Sequence, residues 1–195
     1  TVYQRTFLWR AGVFDNNNSG ENMTDQIWIT RDYLNCTGCR RCEIACSLHH
    51  EEWIWPEASR IRVFMPFPGV EVPHFCAQCQ DYPCIESCKF DALSVDEETS
   101  AVIVNEENCT SCALCIKACP GQVPILHPET RKAVICDLCG GDPECVKSCQ
   151  KARYDALAVV NESPNGNHKL FAVHPIVVAK ELAVNLFGEK GEEVI

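Results

Sequence analysis

Residues Cys36 to Cys46 read CTGCRRCEIAC, and Cys109 to Cys119 read CTSCALCIKAC. Both stretches space four cysteines by two, two and three residues, and both follow an asparagine, Asn35 or Asn108. Upstream of each lies a short apolar run, Ile27-Trp28-Ile29 or Val102-Ile103-Val104. The repeated unit is therefore a strand, a cysteine loop and a helical turn that carries the fourth cysteine. Two more groups, Cys76, Cys79, Cys84, Cys88 and Cys136, Cys139, Cys145, Cys149, lengthen only the middle gap. These four groups use all sixteen cysteines of the 195-residue chain.

Thiolates at this spacing can wrap a cubane [4Fe–4S] cluster, because a tight loop turns its backbone N–H groups toward the sulfurs. In such runs the fourth cysteine, already in a helix that points away, meets a neighbouring cluster. Structural zinc uses two ligand pairs separated by a longer loop, which four ligands within eleven residues suit poorly. A disulfide framework belongs to an oxidising compartment and gives no reason for the spacing to repeat. The reading is four [4Fe–4S] clusters held by sixteen thiolates, with electron transfer as their chemistry.

The crossing rule then predicts the ligand sets. They are Cys36, Cys39, Cys42 with Cys149; Cys136, Cys139, Cys145 with Cys46; Cys76, Cys79, Cys84 with Cys119; and Cys109, Cys112, Cys115 with Cys88. The fold class expected is α+β, a nested bacterial ferredoxin-like (polyferredoxin) arrangement of short hairpins and short helices. One hairpin should run through Ala92–Val95 and Ala101–Val104, another through Val123–Leu126 and Ala133–Ile135. Asp155–Val160 should pair with Gln26–Thr30 and close an outer unit, about 26–50 plus 133–160, around an inner one, about 74–135. Residues 26–160 thus form the four-cluster domain, flanked by an extension or linker at 1–25, where Met23 looks like a natural start. The C-terminal extension, 161–195, holds a helix at about 175–187, with Pro175 at its start, Gly188 at its stop and a broad apolar stripe between. That helix either packs on its own domain or docks a partner subunit, and the tail from Glu189 is expected to be mobile.

Net charge is −10 before any cluster adds to it, and no basic stripe appears, so nucleic acid is excluded as a partner class. The density of reduced cysteine points to an anaerobic cytoplasm. No apolar run reaches the length of a membrane span. No nucleophile–base pair, phosphate loop or dinucleotide fingerprint is present, so catalytic residues are none and substrate chemistry must lie in another chain. His49, His50, His74 and His127 read as surface or hydrogen-bonding residues, since cysteine fills every cluster position. The aromatic and proline-rich segment Glu51–Phe75 reads as a cover for the clusters or a partner-facing patch.

With these groups in place, residues 26–160 resemble the four-cluster, ferredoxin-type electron-transfer subunits of molybdenum and tungsten oxidoreductases. The compact fourth group, with only Gly140 to Glu144 between Cys139 and Cys145, is most similar to the small subunits of the aldehyde ferredoxin oxidoreductase family, benzoyl-CoA reductase-type complexes included. Subunits of dimethyl-sulfoxide-reductase-superfamily, formate dehydrogenase and hydrogenase complexes remain alternatives, as does an autonomous soluble polyferredoxin. The resemblance implies a non-catalytic relay of single electrons. One end would serve a tungsten- or molybdenum-pterin catalytic subunit, the other a ferredoxin or a flavin/NAD(H) partner.

Overall fold

The computed structural model describes residues 26–161 and 172–193. The expected extension at 1–25 and part of 161–195 lie outside the described residues. Among the described residues, eight short strands form four separate two-stranded antiparallel sheets, with five helices between and after them, an α+β architecture. Sheets this small cannot close a core by themselves. The apolar side chains instead gather around the cysteine loops, in clusters that contain Cys42, Cys46, Cys136 and Cys145 in one case and Cys84, Cys109 and Cys115 in another.

Strand β1 (Trp28–Arg31) pairs with β8 (Leu157–Val160), Trp28 opposite Val160 and Arg31 opposite Leu157. Ile29 and Leu157 face the core, and Thr30 Oγ1 donates to the Ala158 carbonyl at 3.2 Å. This pairing brings helix α1 (Arg41–Glu51) against α4 (Glu144–Lys151), where the Ser148 hydroxyl donates to the Arg41 carbonyl. Hairpin β4–β5 (Leu93–Val95, Val102–Val104) turns at Asp96, whose Oδ1 accepts from the Thr99 amide and hydroxyl. Hairpin β6–β7 (Ile125–Leu126, Ala133–Val134) turns where expected and is shorter than expected at its open end. The short helices α2 (Pro83–Glu86) and α3 (Leu114–Ala118) pack against each other beside these hairpins.

The segment 51–75, read from sequence as a cover or a partner-facing patch, contains a hairpin of its own. Strand β2 (Arg62–Phe67) pairs with β3 (Val70–His74) across a turn at Gly69, whose φ of 89° suits glycine. Helix α5 (Pro175–Phe187) lays Val178, Ala179, Leu182 and Ala183 on Val70, Val72 and Tyr33. Each aliphatic chain as large as Val or Leu so buried contributes roughly 1.5–3 kcal/mol. His174 Nδ1 accepts from the Ile176 amide at the start of α5, and Gly188 ends it. Of the tail expected from Glu189 on, Gly188–Glu193 continues as a 3-10 turn against α5, and the last two residues lie outside the described residues. Among the described residues no helix is long and apolar enough to cross a membrane.

Candidate metal centres

The sequence repeat is also a backbone repeat. Gly38 and Ser111 stand at φ 67° and 61°, and Arg40 and Ala113 at 58° and 60°. Left-handed residues alternating with ordinary ones turn successive N–H groups to one side and create an anion-binding concavity. A non-glycine residue pays about 1–2 kcal/mol for that conformation, so something inside each loop must offset the strain. Arg40, Tyr82 and Ala113, each left-handed, directly precede α1, α2 and α3.

Four cavities result, each bordering 300–400 Å³ of space not filled by protein atoms, and each is lined by four cysteines. Site 1 has Cys36, Cys39, Cys42 and Cys149. Site 2 has Cys46, Cys136, Cys139 and Cys145. Site 3 has Cys76, Cys79, Cys84 and Cys119. Site 4 has Cys88, Cys109, Cys112 and Cys115. In every case three cysteines come from one loop and the fourth arrives on a helix or turn from another. Sites 1 and 2 share α1 and α4, and sites 3 and 4 share α2 and α3. Phe75 lines site 2 while the next residue, Cys76, lines site 3, so this dipeptide is the wall between the two pairs. The sites therefore follow one another as 1, 2, 3, 4. The exposed cysteines, Cys39 and Cys112, belong to the two terminal sites.

The donor chemistry suits cubane clusters. Burial pushes the Cys36, Cys84 and Cys139 thiols up to about 11 and Cys42 and Cys76 to about 12, and raises Cys136 and Cys145 well above the ordinary range. Neighbouring sulfurs add to the same shift at most of these positions. Four such sulfurs can be thiolates together only with cationic metal among them. Backbone amides are already aimed at the sulfurs: Gln78 at Cys76, Val123 at Cys119, Ala133 at Cys109 and Arg60 at Cys46, all at 3.3–3.4 Å. Amide–sulfur bonds of this kind set the potential of an iron–sulfur cluster.

Site 2 is backed by a chain of ionic residues. His50 Nδ1 lies 2.8 Å from the Cys46 carbonyl and 3.8 Å from Cys46 Sγ, while Nε2 lies 3.1 Å from both Asp137 oxygens. Burial, the largest single influence, would lower the pKa of His50, but hydrogen bonds to the Asp137 carboxylate and to the Cys46 sulfur and carbonyl together outweigh it and hold the ring at about 9. In return Asp137, against its own desolvation, is held at about 2. Arg60 reaches both Asp137 and Glu51, and Glu51 accepts from His127 Nε2 at 3.2 Å. The His127 Nδ1 atom accepts from the Glu129 and Thr130 amides, which fixes that tautomer. His74 and His127 are thus buried hydrogen-bonding residues, not surface ones; His74 Nε2 meets the Gly121 carbonyl at 2.8 Å. The histidine pattern in the sequence gives no sign of Asp137 as a partner, because the two lie 87 residues apart.

The aromatic segment is partly core and partly surface. Phe75 is buried, whereas Trp53 and Ile54 are 58% and 65% exposed, with Trp53 edge-on to Trp55 and Trp55 edge-on to His127. Lys147 pairs with Asp142 and Glu144 beside the fourth loop.

The sequence profile of the 4Fe-4S dicluster domain family matches residues 69–155. A Pyrococcus furiosus protein described as the polyferredoxin-like subunit of aliphatic sulfonate oxidoreductase is 51% identical over 169 residues, 87% of this chain and 98% of that one. A polysulfide reductase subunit of Wolinella succinogenes is 30% identical, spanning 82% of this protein and 90% of its own length. The thiosulfate reductase electron transfer subunit PhsB of Salmonella typhi is 31% identical, over 66% and 73% respectively. The solved active site complex BamBC of benzoyl coenzyme A reductase, as isolated, includes a protein 26% identical over 84% of this one and 92% of its own length. The TM-score is 0.40.

Proposed function

For a chain that belongs to the polyferredoxin-type iron–sulfur electron-transfer subunits of oxidoreductases, we propose that sites 1 to 4 each hold one [4Fe–4S] cluster and that single electrons travel along them between two partner proteins. The observation that carries this reading is the lining of each cavity by four cysteines, three local and one crossed. A cubane supplies a one-electron couple whose potential its surroundings set. The protein's share is to insulate the couple and to fix the order of the sites. Phe75, Leu138 and Ile29 exclude water at site 2, and Val102 and Ile135 do so at site 3. The exposed Cys39 and Cys112 make sites 1 and 4 the points of entry and exit.

One partner is an oxidoreductase catalytic subunit with a tungsten or molybdenum pterin, and the other a ferredoxin or a flavin/NAD(H) protein. The names of the relatives, which mention sulfonate, polysulfide and thiosulfate, favour a substrate containing oxidised or catenated sulfur, with a sulfonate first. The exposed Trp53, Ile54, Leu48 and Met65 favour a fixed partner over free diffusion, since apolar surface of this kind is usually covered. Packing of α5 on its own β2–β3 hairpin, by contrast, is equally at home in an autonomous soluble carrier.

Anaerobic purification from the native host with metal analysis tests the reading. About sixteen irons per chain, the content of four cubanes, together with a stoichiometric pterin subunit containing tungsten or molybdenum, is the expected result. The same iron in a chain that purifies alone would replace the subunit reading with the carrier. About eight irons would overturn the four-cluster count.

A further inference from the structure

Arg31 ends strand β1 with its side chain turned into the protein, 4% exposed. Its guanidinium carbon lies 3.8 Å from the centre of the Phe75 ring. Nη2 donates to the Phe75 carbonyl at 2.8 Å and to the Cys76 carbonyl at 3.2 Å. The cation is therefore clamped to the dipeptide that separates site 2 from site 3. Its electrostatic influence registers at Cys76 and Cys79 on one side and at Cys136 on the other.

A buried guanidinium is expensive. It cannot shed its proton, and its desolvation costs several kcal/mol unless opposite charge compensates it. A methionine would fill much of the same space without that cost. Tyr33 hydrogen-bonds the guanidinium, and negative charge in the two flanking sites adds to the compensation at this wall. Each cubane becomes more negative by one unit when it takes an electron from its neighbour, and a fixed positive charge favours the more negative state. The two hydrogen bonds also occupy the Phe75 and Cys76 carbonyls, so their negative ends serve the guanidinium.

We propose that Arg31 is a positioning cation for the middle of the relay, raising the reduction potentials of the clusters in sites 2 and 3 together and leaving those of sites 1 and 4. This rests on the four-cluster reading above. Electrons then meet a matched pair of acceptors where the outer and inner halves join, the one step at which no helix is shared between sites.

The test is a redox titration of the full chain under anaerobic conditions, with the reduced clusters counted by electron paramagnetic resonance. Arg31→Met should keep the iron content and move two one-electron waves to lower potential while the others stay. In a Cys145→Ala background, which removes site 2, only one shifted wave should remain. Arg31→Lys keeps the charge, so its potentials should stay near those of the unsubstituted protein even if Arg31→Met fails to assemble. The proposal is overturned if Arg31→Met retains all its iron with unmoved waves, if every wave moves alike, if lysine shifts them as far as methionine does, or if neither variant assembles. Iron content and wave number in the unsubstituted protein test the four-cluster reading by themselves. The difference between the variants tests Arg31, and does so even if only sites 2 and 3 are filled.

Discussion

Sites 3 and 4 are walled by β4–β5 and β6–β7, hairpins whose strands are joined by short turns, and their crossing cysteines, Cys88 and Cys119, lie just past the ends of helices of four and five residues. Sites 1 and 2 depend on α1 and α4, of eleven and eight residues, and on β1–β8, where Thr30 bonds to a residue 128 positions away. The inner half is thus held by local contacts, the outer half by contacts that close the whole domain. Loop-closure entropy makes such long-range contacts costly to form, and the outer half carries additional ties that the inner half lacks. The Asp137–His50 pair and Arg60 lie on that side, and the Glu51–His127 pair ties it to the turn between β6 and β7.

The most severe way to break this contrast is to remove a ligand at the junction. Cys145→Ala should lower iron from about sixteen to about twelve per chain and stop electron passage from site 1 to site 3. Cys112→Ala, at the exposed end, should lose the same iron but leave passage from site 1 to site 3 intact, as stopped-flow reduction would reveal. Next in size is the domain closure. Leu157→Ala, at a position 2% exposed, should cost about 2–5 kcal/mol, read as earlier thermal bleaching of the clusters. Val95→Ala, 38% exposed in the inner hairpin, should change that transition little.

A smaller effect is expected from Asp137→Ala. It leaves the half-buried His50 without its carboxylate, and about 1–3 kcal/mol is lost for an unsatisfied polar group. Faster iron release to a chelator from site 2 than from sites 3 and 4 would be the signature. The least disruptive change is Asp96→Ala, which frees the Thr99 amide and hydroxyl at the tip of β4–β5. Amide exchange should rise at Thr99 and Ala101 while iron content and potentials stay fixed. An equal response in β1–β8 would erase the distinction between local and closing contacts.

Much of this arrangement is legible before any coordinates, and the reasons are local. Cysteine spacing writes out each loop, because the backbone has few ways to turn three sulfurs inward within seven residues. The hairpins at 93–104 and 125–134 announce themselves by apolar runs around polar turns, and α5 by its proline, its stripe and its glycine. Hairpin β2–β3 is harder to see. Pro66, Pro68 and Pro73 interrupt the alternation that marks a strand: Pro66 falls in the irregular register between Phe64 and Phe67, Pro68 in the turn, and Pro73 opposite Val63 in a sheet whose two strands are both edges. The roles of Arg31 and Asp137 are not legible at all, although the inward alternation of Ile29 and Arg31 in β1 holds a trace of the former. A charged residue in a strand reads as outward-facing unless the sequence also reveals what neutralises it, and here that lies across the fold.

The antiparallel ladder from Trp28–Arg31 to Leu157–Val160 also imposes a timetable on biosynthesis. A ribosome delivers all the cysteines of sites 3 and 4 once Cys119 has emerged, so the inner half can receive iron while the rest of the chain is still being made. On the proposed ligand sets, Cys36, Cys39 and Cys42 wait for Cys149, with their thiols open to oxygen and stray metals throughout. The segment made first is the last to be finished, and it is there that a cell short of iron or exposed to air would accumulate its defective copies.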